Sequence, residues 1–331
     1  MIQFYIVTPV RNGAQFINTA ITHIVSQIGD FEIYYHVQDG GSTDGTLEIL
    51  KKWEQLLTDT CPIVQCKALH FSWSSEPDAG MYDAINKGFA QFDIPDDGIM
   101  GWCNADDVYL PMVFASLAKI AQDIPHLSYI AGEWRFWENN TLFDYTSLKG
   151  PYPQEVMQHF CCDGAMWTPP PQPSIFWKGV VWKMAGPLNT ALKYAGDFEY
   201  WQRLSMHAEC AYWPLSISLC TRHEAQLAKQ RPNEQDKTFY ELEKEQLCPL
   251  AQRKAFMRTF WKKYIMPPKG TLVAREGSAY ILKEIPCWPT IWNVSTLFGY
   301  FRRRLLYYRV AFKAYCAKMI KNRRIVIVGL K

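Results

Sequence analysis

Apolar runs and helical stripes alternate along the first 110 residues. Gln3 to Thr8 is a short apolar run, read as a strand that Pro9 stops, and Arg11-Asn12-Gly13 makes a turn. From Ala14 to Ser26 the apolar positions Phe16, Ile17, Ala20, Ile21, Ile24 and Val25 fall at helical spacing. Phe31 to Gln38 predicts a second strand. Thr46 to Leu57 predicts a helix with Asp44 or Thr46 near its start, and Met81 to Phe92 a third helix. Ile99 to Cys103 is bounded by turn formers, as expected of a strand buried on both faces, although periodicity alone leaves a buried helix open. With one more strand before the third helix, the order is βαβα(β)αβ. That order is the signature of a parallel sheet covered by helices.

Beyond residue 110 the pattern loosens. Leu127 to Phe136 predicts a strand, and Trp137 to Tyr152 a loop-rich stretch. Thr168 to Pro173 (TPPPQP) reads as neither helix nor central strand, because of its prolines. Lys178 to Ala185 and Phe198 to His207 read as helices and Tyr212 to Arg222 as a strand. Glu234 to Lys263 reads as a helix or helix pair broken at Pro249, and Pro267-Pro268-Lys269-Gly270 as a hinge. Near the end, Val294, Phe298, Phe301, Leu305, Tyr308, Phe312, Tyr315 and Met319 alternate spacings of four and three, one apolar stripe along a helix.

Charge sharpens this last segment. The net charge of +3 hides ten Lys and Arg and no acidic residue from Ile285 to Lys331, leaving 25 basic and 32 acidic residues elsewhere. A basic amphipathic stretch on an acidic body suits an anionic membrane surface, and a helix packed on the body or on itself is the alternative. Nucleic acid is not expected as a partner. No run approaches the roughly 20 apolar residues of a membrane span, and the start of the chain lacks the shape of a signal peptide. The ten cysteines show no metal-binding spacing, so a reduced, cytoplasmic setting is expected, peripheral on the inner face of the cell membrane.

Candidate chemistry gathers at carboxylates. Asp106 and Asp107 follow the run Ile99 to Cys103. In an open α/β sheet that end is where ligands bind, and two adjacent carboxylates there repel each other unless something positive sits between them. A divalent ion carried by a phosphorylated substrate would balance them through hard oxygen ligands. A solvated turn, with either Asp capping the helix near Pro111, is the other reading. Asp39, Asp78 and Asp197 also follow predicted strands or stand at helix starts, like the rim of one pocket. No GxGxxG and no Gly-Lys pair occurs, which excludes the usual dinucleotide turn and the P-loop.

Five ordered motifs carry a resemblance: TPVRN (Thr8–Asn12), QDGGSTDGT (Gln38–Thr46), SEPDAGMYDAINKG (Ser75–Gly88), NADD (Asn104–Asp107) and GDFEYWQRL (Gly196–Leu204). The chain resembles the inverting family 2 glycosyltransferases of the GT-A fold and is similar to bacterial enzymes of capsule, O-antigen and exopolysaccharide assembly. The resemblance covers roughly residues 1–225. It implies an α/β, Rossmann-like, mostly parallel sheet flanked by helices, with residues 226–331 as a mainly helical C-terminal extension.

It also implies roles. Thr8, Pro9 and Arg11 would lie beside the nucleotide base, and Asp39 would accept an imide N–H such as that of uracil; Gln38 stands where the motif usually has Asp. Asp78, Asp83 and Asn86 would border the ribose and donor sugar, or serve as turn and cap residues. Asp107 would ligate Mn²⁺ or Mg²⁺, with Asp106 facing the ribose or the metal's water, and His223 reaching the diphosphate or metal unless it is structural. Asp197 would be the general base, a role compatible with capping the helix that follows, and Glu199 ranks second. The expected reaction moves a sugar from a nucleotide-sugar donor, UDP- ahead of GDP-, to a glycan or lipid-linked acceptor hydroxyl. A nucleotidyltransferase and a non-catalytic nucleotide-sugar-binding membrane scaffold are the alternatives.

Overall fold

Along the first strand Phe4 and Ile6 enter one apolar cluster while Tyr5 and Val7 enter another, so both faces of the strand are buried. This strand, β1 (Ile2–Val10), is central to the computed structural model, which describes residues 1–58, 62–138, 141–144, 150–162, 167, 169–170, 172–223, 226, 229–233, 236–263 and 268–287. It pairs in parallel with β2 (Ile28–Asp39), which pairs in parallel with β3 (Gln65–Ser75). On its other side lies β4 (Ile99–Trp102), also parallel. The expected parallel sheet is thus present in this half.

Helices cover both faces. Residues of α1 (Ile17–Val25), α2 (Thr46–Thr58) and α4 (Val113–Asp123) join Phe4 and Ile6, where Phe4 stacks on Phe114 at 4.5 Å. The second cluster takes Tyr82, Ile85 and Phe89 of α3 (Met81–Phe89), Val156 of α5 (Gln154–Gln158), Val181 of α6 (Gly179–Ala185), and Tyr200 and Trp201 of α7 (Gly196–Ser205). Burying a large aromatic or aliphatic side chain contributes about 1.5–3 kcal/mol, so this three-layer arrangement rests on the alternation inside each strand.

Past β4 the sheet becomes mixed. β8 (Ile175–Lys178) is antiparallel to β4, and β6 (Tyr129–Glu138) is antiparallel to β8 and parallel to β9 (Ala211–Thr221). Short β5 (Asp107–Tyr109) and β7 (Thr141–Asp144) pair antiparallel with β9 and β6. After α8 (Phe239–Leu247) and α9 (Leu250–Lys263), β10 (Lys269–Glu276) and β11 (Ala279–Pro286) extend the edge beside β9.

Two expectations need correction. Pro9 does not end β1. Val7 accepts from Cys103 N on the β4 side and Val10 from Gly40 N on the β2 side, so alternate residues face alternate neighbours. Pro9 therefore faces the β4 side, beyond the Val7–Trp102 pair where β4 stops, and its missing N–H leaves no ladder position empty. Nor are Lys269 and Gly270 part of a hinge: they open a hairpin that joins the sheet.

Residues 1–290 form one compact unit and 291–331 a second. The basic stripe from Val294 to Met319 lies outside the described residues. Among the described residues no helix is long and apolar enough to cross a membrane.

Candidate active site

The C-terminal ends of the parallel strands stand in one row: Val10 pairs with Asp39, and Asp39 with Ser75. Asp39 is fully buried, and its carboxylate organises the loop that follows. Oδ2 accepts from Gly41 N and Ser42 N at 2.9 Å each and from the Ser75 hydroxyl at 2.6 Å, while the Ser42 hydroxyl donates to Oδ1. Four donors fill about the capacity of a carboxylate, so a contact from Asp39 to a nucleotide base requires one of them to give way. Gln38, also buried, accepts from Ser74 at 2.9 Å, and an acid in its place would put a second buried charge beside Asp39.

The other expected donor-side residues divide into two groups. Arg11 is exposed, and Asp78 is partly exposed nearby: a Cβ on Gly40 would stand 2.3 Å from Asp78 Oδ2 and 3.5 Å from Arg11 Cβ. Glycine at residue 40 thus lets the Arg11 and Asp78 turns meet at the rim. Thr8, Pro9 and Asn86 do not join them, whereas Asp83 is tied to the turn that carries Asp78. Thr8 is fully buried and accepts from the Tyr35 hydroxyl at 3.0 Å, and Pro9 is buried in β1. Asp83 accepts from Ala79 N at 3.0 Å and pairs with Lys87 at 3.4 Å. Asn86 grips the backbone of Leu188 from both sides, at 2.8 and 2.9 Å. These contacts match the turn and cap alternative for Asp83, and they make Asn86 a tie between α3 and the 188 loop.

Asn104 to Asp107 leaves β4 at its C-terminal end. Asp106 is partly exposed and accepts from His223 Nε2 at 2.9 Å, whose ring stacks on Phe16 at 4.8 Å. Asp107, only 5% exposed, is carried on β5 opposite Cys220. Its Oδ2 accepts from Asn104 at 3.3 Å, but its buried Oδ1 has no partner of normal hydrogen-bond geometry. Burial, and then the neighbouring charge of Asp106, push the Asp107 carboxyl well above the usual carboxylate range, partly offset by the Thr221 backbone, Asn104 and Cys220. Gln172, unanticipated from sequence, holds Asn104 at 2.8 Å and Trp102 O at 2.9 Å.

A buried carboxylate oxygen so placed beside a second carboxylate suits a hard cation. Asp107, Asp106 and His223 fit that role chemically. Among the described residues no three His, Cys, Asp or Glu side chains already converge as a cage, so further ligands would have to come from elsewhere.

Helix α7 packs against the end of β4. Trp201 stacks on Trp102 at 4.9 Å, and Asp197 lies one turn before Trp201 on the same face. Asp197 is not the N-cap, which is Ala195, but sits in the first helical turn and accepts from Phe198 N at 2.7 Å. Burial raises its carboxyl to about 6; the Phe198 amide and Lys244 pull it down, and Glu243 pushes it up. Glu199 is engaged elsewhere: Arg203 forks onto it at 2.6 and 2.9 Å and also donates to the carbonyls of Ala185 and Pro187. Sequence reasoning missed Glu243 of α8, which accepts from three successive amides, Lys193, Tyr194 and Ala195, at 2.9, 2.8 and 2.6 Å.

The comparisons with known proteins agree with this fold. The structure is similar to that of residues 1–349 of S. aureus TarS in complex with UDP-GlcNAc, with a TM-score of 0.51, 15% identity, and coverage of 78% of this chain and 74% of that one. Against a further crystal structure of S. aureus TarS the TM-score is 0.50 at 16% identity, covering 68% of this chain but only 37% of the other. At such identities the likeness is one of fold, GT-A-like. No curated protein sequence matches the chain. Residues 5–183 match the family described as Glycosyl transferase family 2, more than half of the sequence, and the chain belongs to that family.

Proposed function

We propose that the chain is an inverting glycosyltransferase that moves a sugar from a UDP-sugar to a hydroxyl of a glycan or lipid-linked acceptor. Residues 1–225 would form the transferase part and residues 226–331 its extension. The observation that carries the reading is the Asp106–Asp107 pair at the C-terminal edge of the sheet, with a buried Asp107 oxygen that lacks a partner of normal hydrogen-bond geometry. Asp107, flanked by Asp106 and His223, would hold Mn²⁺ or Mg²⁺, which when bound supplies Lewis-acid stabilisation of the charge developing on the leaving diphosphate. Arg11 and Asp78 would border the nucleotide from the rim.

Asp197 would take the proton from the acceptor hydroxyl as that oxygen attacks the anomeric carbon on the face opposite the nucleotide, inverting its configuration. Its setting supports this role: a carboxyl raised to about 6 is still ionised at neutral pH yet basic enough to accept a proton. Glu199, already forked by Arg203, is less free to do so. TarS holding UDP-GlcNAc in its crystal is the reason for placing UDP ahead of GDP.

The test incubates the full chain with Mn²⁺, a panel of nucleotide-sugars and a panel of saccharide and lipid-linked acceptors, followed by mass spectrometry. A UDP-sugar converted to UDP and a glycosylated product is the expected result. Release of pyrophosphate with a nucleotidyl adduct would overturn it.

A further inference from the structure

Helix α8 lies beyond the stretch that the family match covers, yet it reaches back to the base. Its N-terminus is fixed by a capping box, with Glu241 N donating to the Thr238 hydroxyl at 3.2 Å and Thr238 N to Glu241 at 2.9 Å. So anchored, the helix presents Glu243 and Lys244 to the start of α7. Glu243 binds three consecutive amides just before Asp197, which α7 itself leaves without intrahelical partners. The Lys244 ammonium lies 4.8 Å from the ring centre of Phe198, the residue after Asp197, and 5.2 Å from that of Tyr240. On the other side Tyr82 of α3 donates to Tyr194 O at 3.0 Å, and its ring touches Gly196.

We propose that α8 is the positioning element of the catalytic carboxylate, with Glu243 fixing the backbone that enters α7 and Lys244 supplying the positive charge beside Asp197. This rests on the reading of Asp197 as the base. Neither Glu243 nor Lys244 touches the reacting atoms; both act through Asp197. The groups facing that carboxylate are Lys244, Glu243 and Tyr240 from α8 and Tyr82 from α3. The two α8 charges have opposite signs, so their removal has opposite consequences, which a merely structural helix would not produce.

The experiment follows the Asp197 carboxyl directly, by ¹³C NMR of the full chain labelled at Asp, with the resonance assigned by its loss in Asp197→Asn. Lys244→Met removes a favourable charge and is expected to move the titration midpoint up by about one unit. Glu243→Gln removes an unfavourable charge and moves the midpoint down, while hydrogen exchange at Lys193, Tyr194 and Ala195 speeds up at least tenfold. Midpoints unchanged in both variants, or shifted in the same direction, overturn the proposal. So does unaltered exchange in Glu243→Gln, a near-isosteric change that keeps the helix's shape. None of these readouts needs donor or acceptor. Separately, if Asp197→Asn still transfers sugar from a UDP-sugar, the base assignment fails whatever α8 does.

Discussion

Asp197 shows how one residue's surroundings set opposing demands. Its carboxyl rises from an ordinary 3.8 to about 6 because burial penalises the charged form. A group whose folded value is raised contributes stability that is fully present below its unfolded value and is lost as pH climbs through the folded one. Asp197→Asn removes that loss while leaving an oxygen to accept from Phe198 N. Its melting temperature relative to wild type should therefore improve between pH 4 and pH 8, measured by scanning calorimetry. Sugar transfer by the same variant should fall by about 10² to 10⁴ with nucleotide affinity near normal, since a base acts on the chemical step alone. In the wild type, transfer should decline as pH drops below about 6. Glu199→Gln should lose thermal stability, because it frees Arg203 from its fork, yet keep its turnover. For Asp107 the balance runs the other way: Asp107→Asn relieves a crowded carboxylate, so without metal it should melt higher than wild type. The rise in melting temperature that UDP with Mn²⁺ produces should vanish in the variant. Equal stabilisation of both proteins would remove Asp107 from the metal site.

Between elements, the decisive contacts are those that fasten α7. Gly196 lies so close to α3 that a Cβ there would meet the Tyr82 ring at 2.5 Å. Gly196→Ala should push α7 outward, with an overpacking cost of about 1–3 kcal/mol, and lower turnover more than nucleotide affinity. A melt and a donor titration on one preparation check both. Local pattern foretold such elements where the signal was local. Helices α1, α2 and α3 and the strands β1, β2 and β4 follow from apolar runs and 3.6-residue stripes, and Asn104 to Asp107 stands out because paired carboxylates after an apolar run are unusual. What pattern could not give was direction. Thr8 belongs to a motif but turns its hydroxyl to Tyr35, and Asn86 spends its amide on Leu188; both follow from tertiary neighbours far along the chain. Helix α8 falls inside the predicted Glu234–Lys263 stretch, but nothing local says that Glu243 reaches residues 193–195. The hairpin of β10 and β11 hid for another reason: Pro267-Pro268 looks like an interruption, while the pairing of β10 with β9 is settled by the sheet edge it meets.

At the scale of the whole molecule, the charge division and the compact unit ending at residue 290 make one prediction. If the C-terminal segment meets a bilayer, its ten basic residues without an acidic one from Ile285 onward would favour anionic lipids at about 1 kcal/mol for each charge near the surface. Ending the chain after Thr290 spares β11 and should abolish co-sedimentation with anionic vesicles while leaving the melting temperature nearly unchanged. Equal sedimentation of the full chain with neutral and anionic vesicles would remove the membrane from its partners. The Glu243 clasp has a consequence in time as well. Its three amides precede it by 48 to 50 residues. At synthesis rates of about 5–20 residues per second, a growing chain waits roughly 2 to 10 s between making these amides and making their clasp. During that interval the nascent protein already contains Arg11, Asp78, Asp106 and Asp107, whereas the helix bearing Asp197 has three open amides at its root. Translation itself would therefore deliver nucleotide recognition first and transfer second, and a chain cut short before α8 should be a binder without turnover.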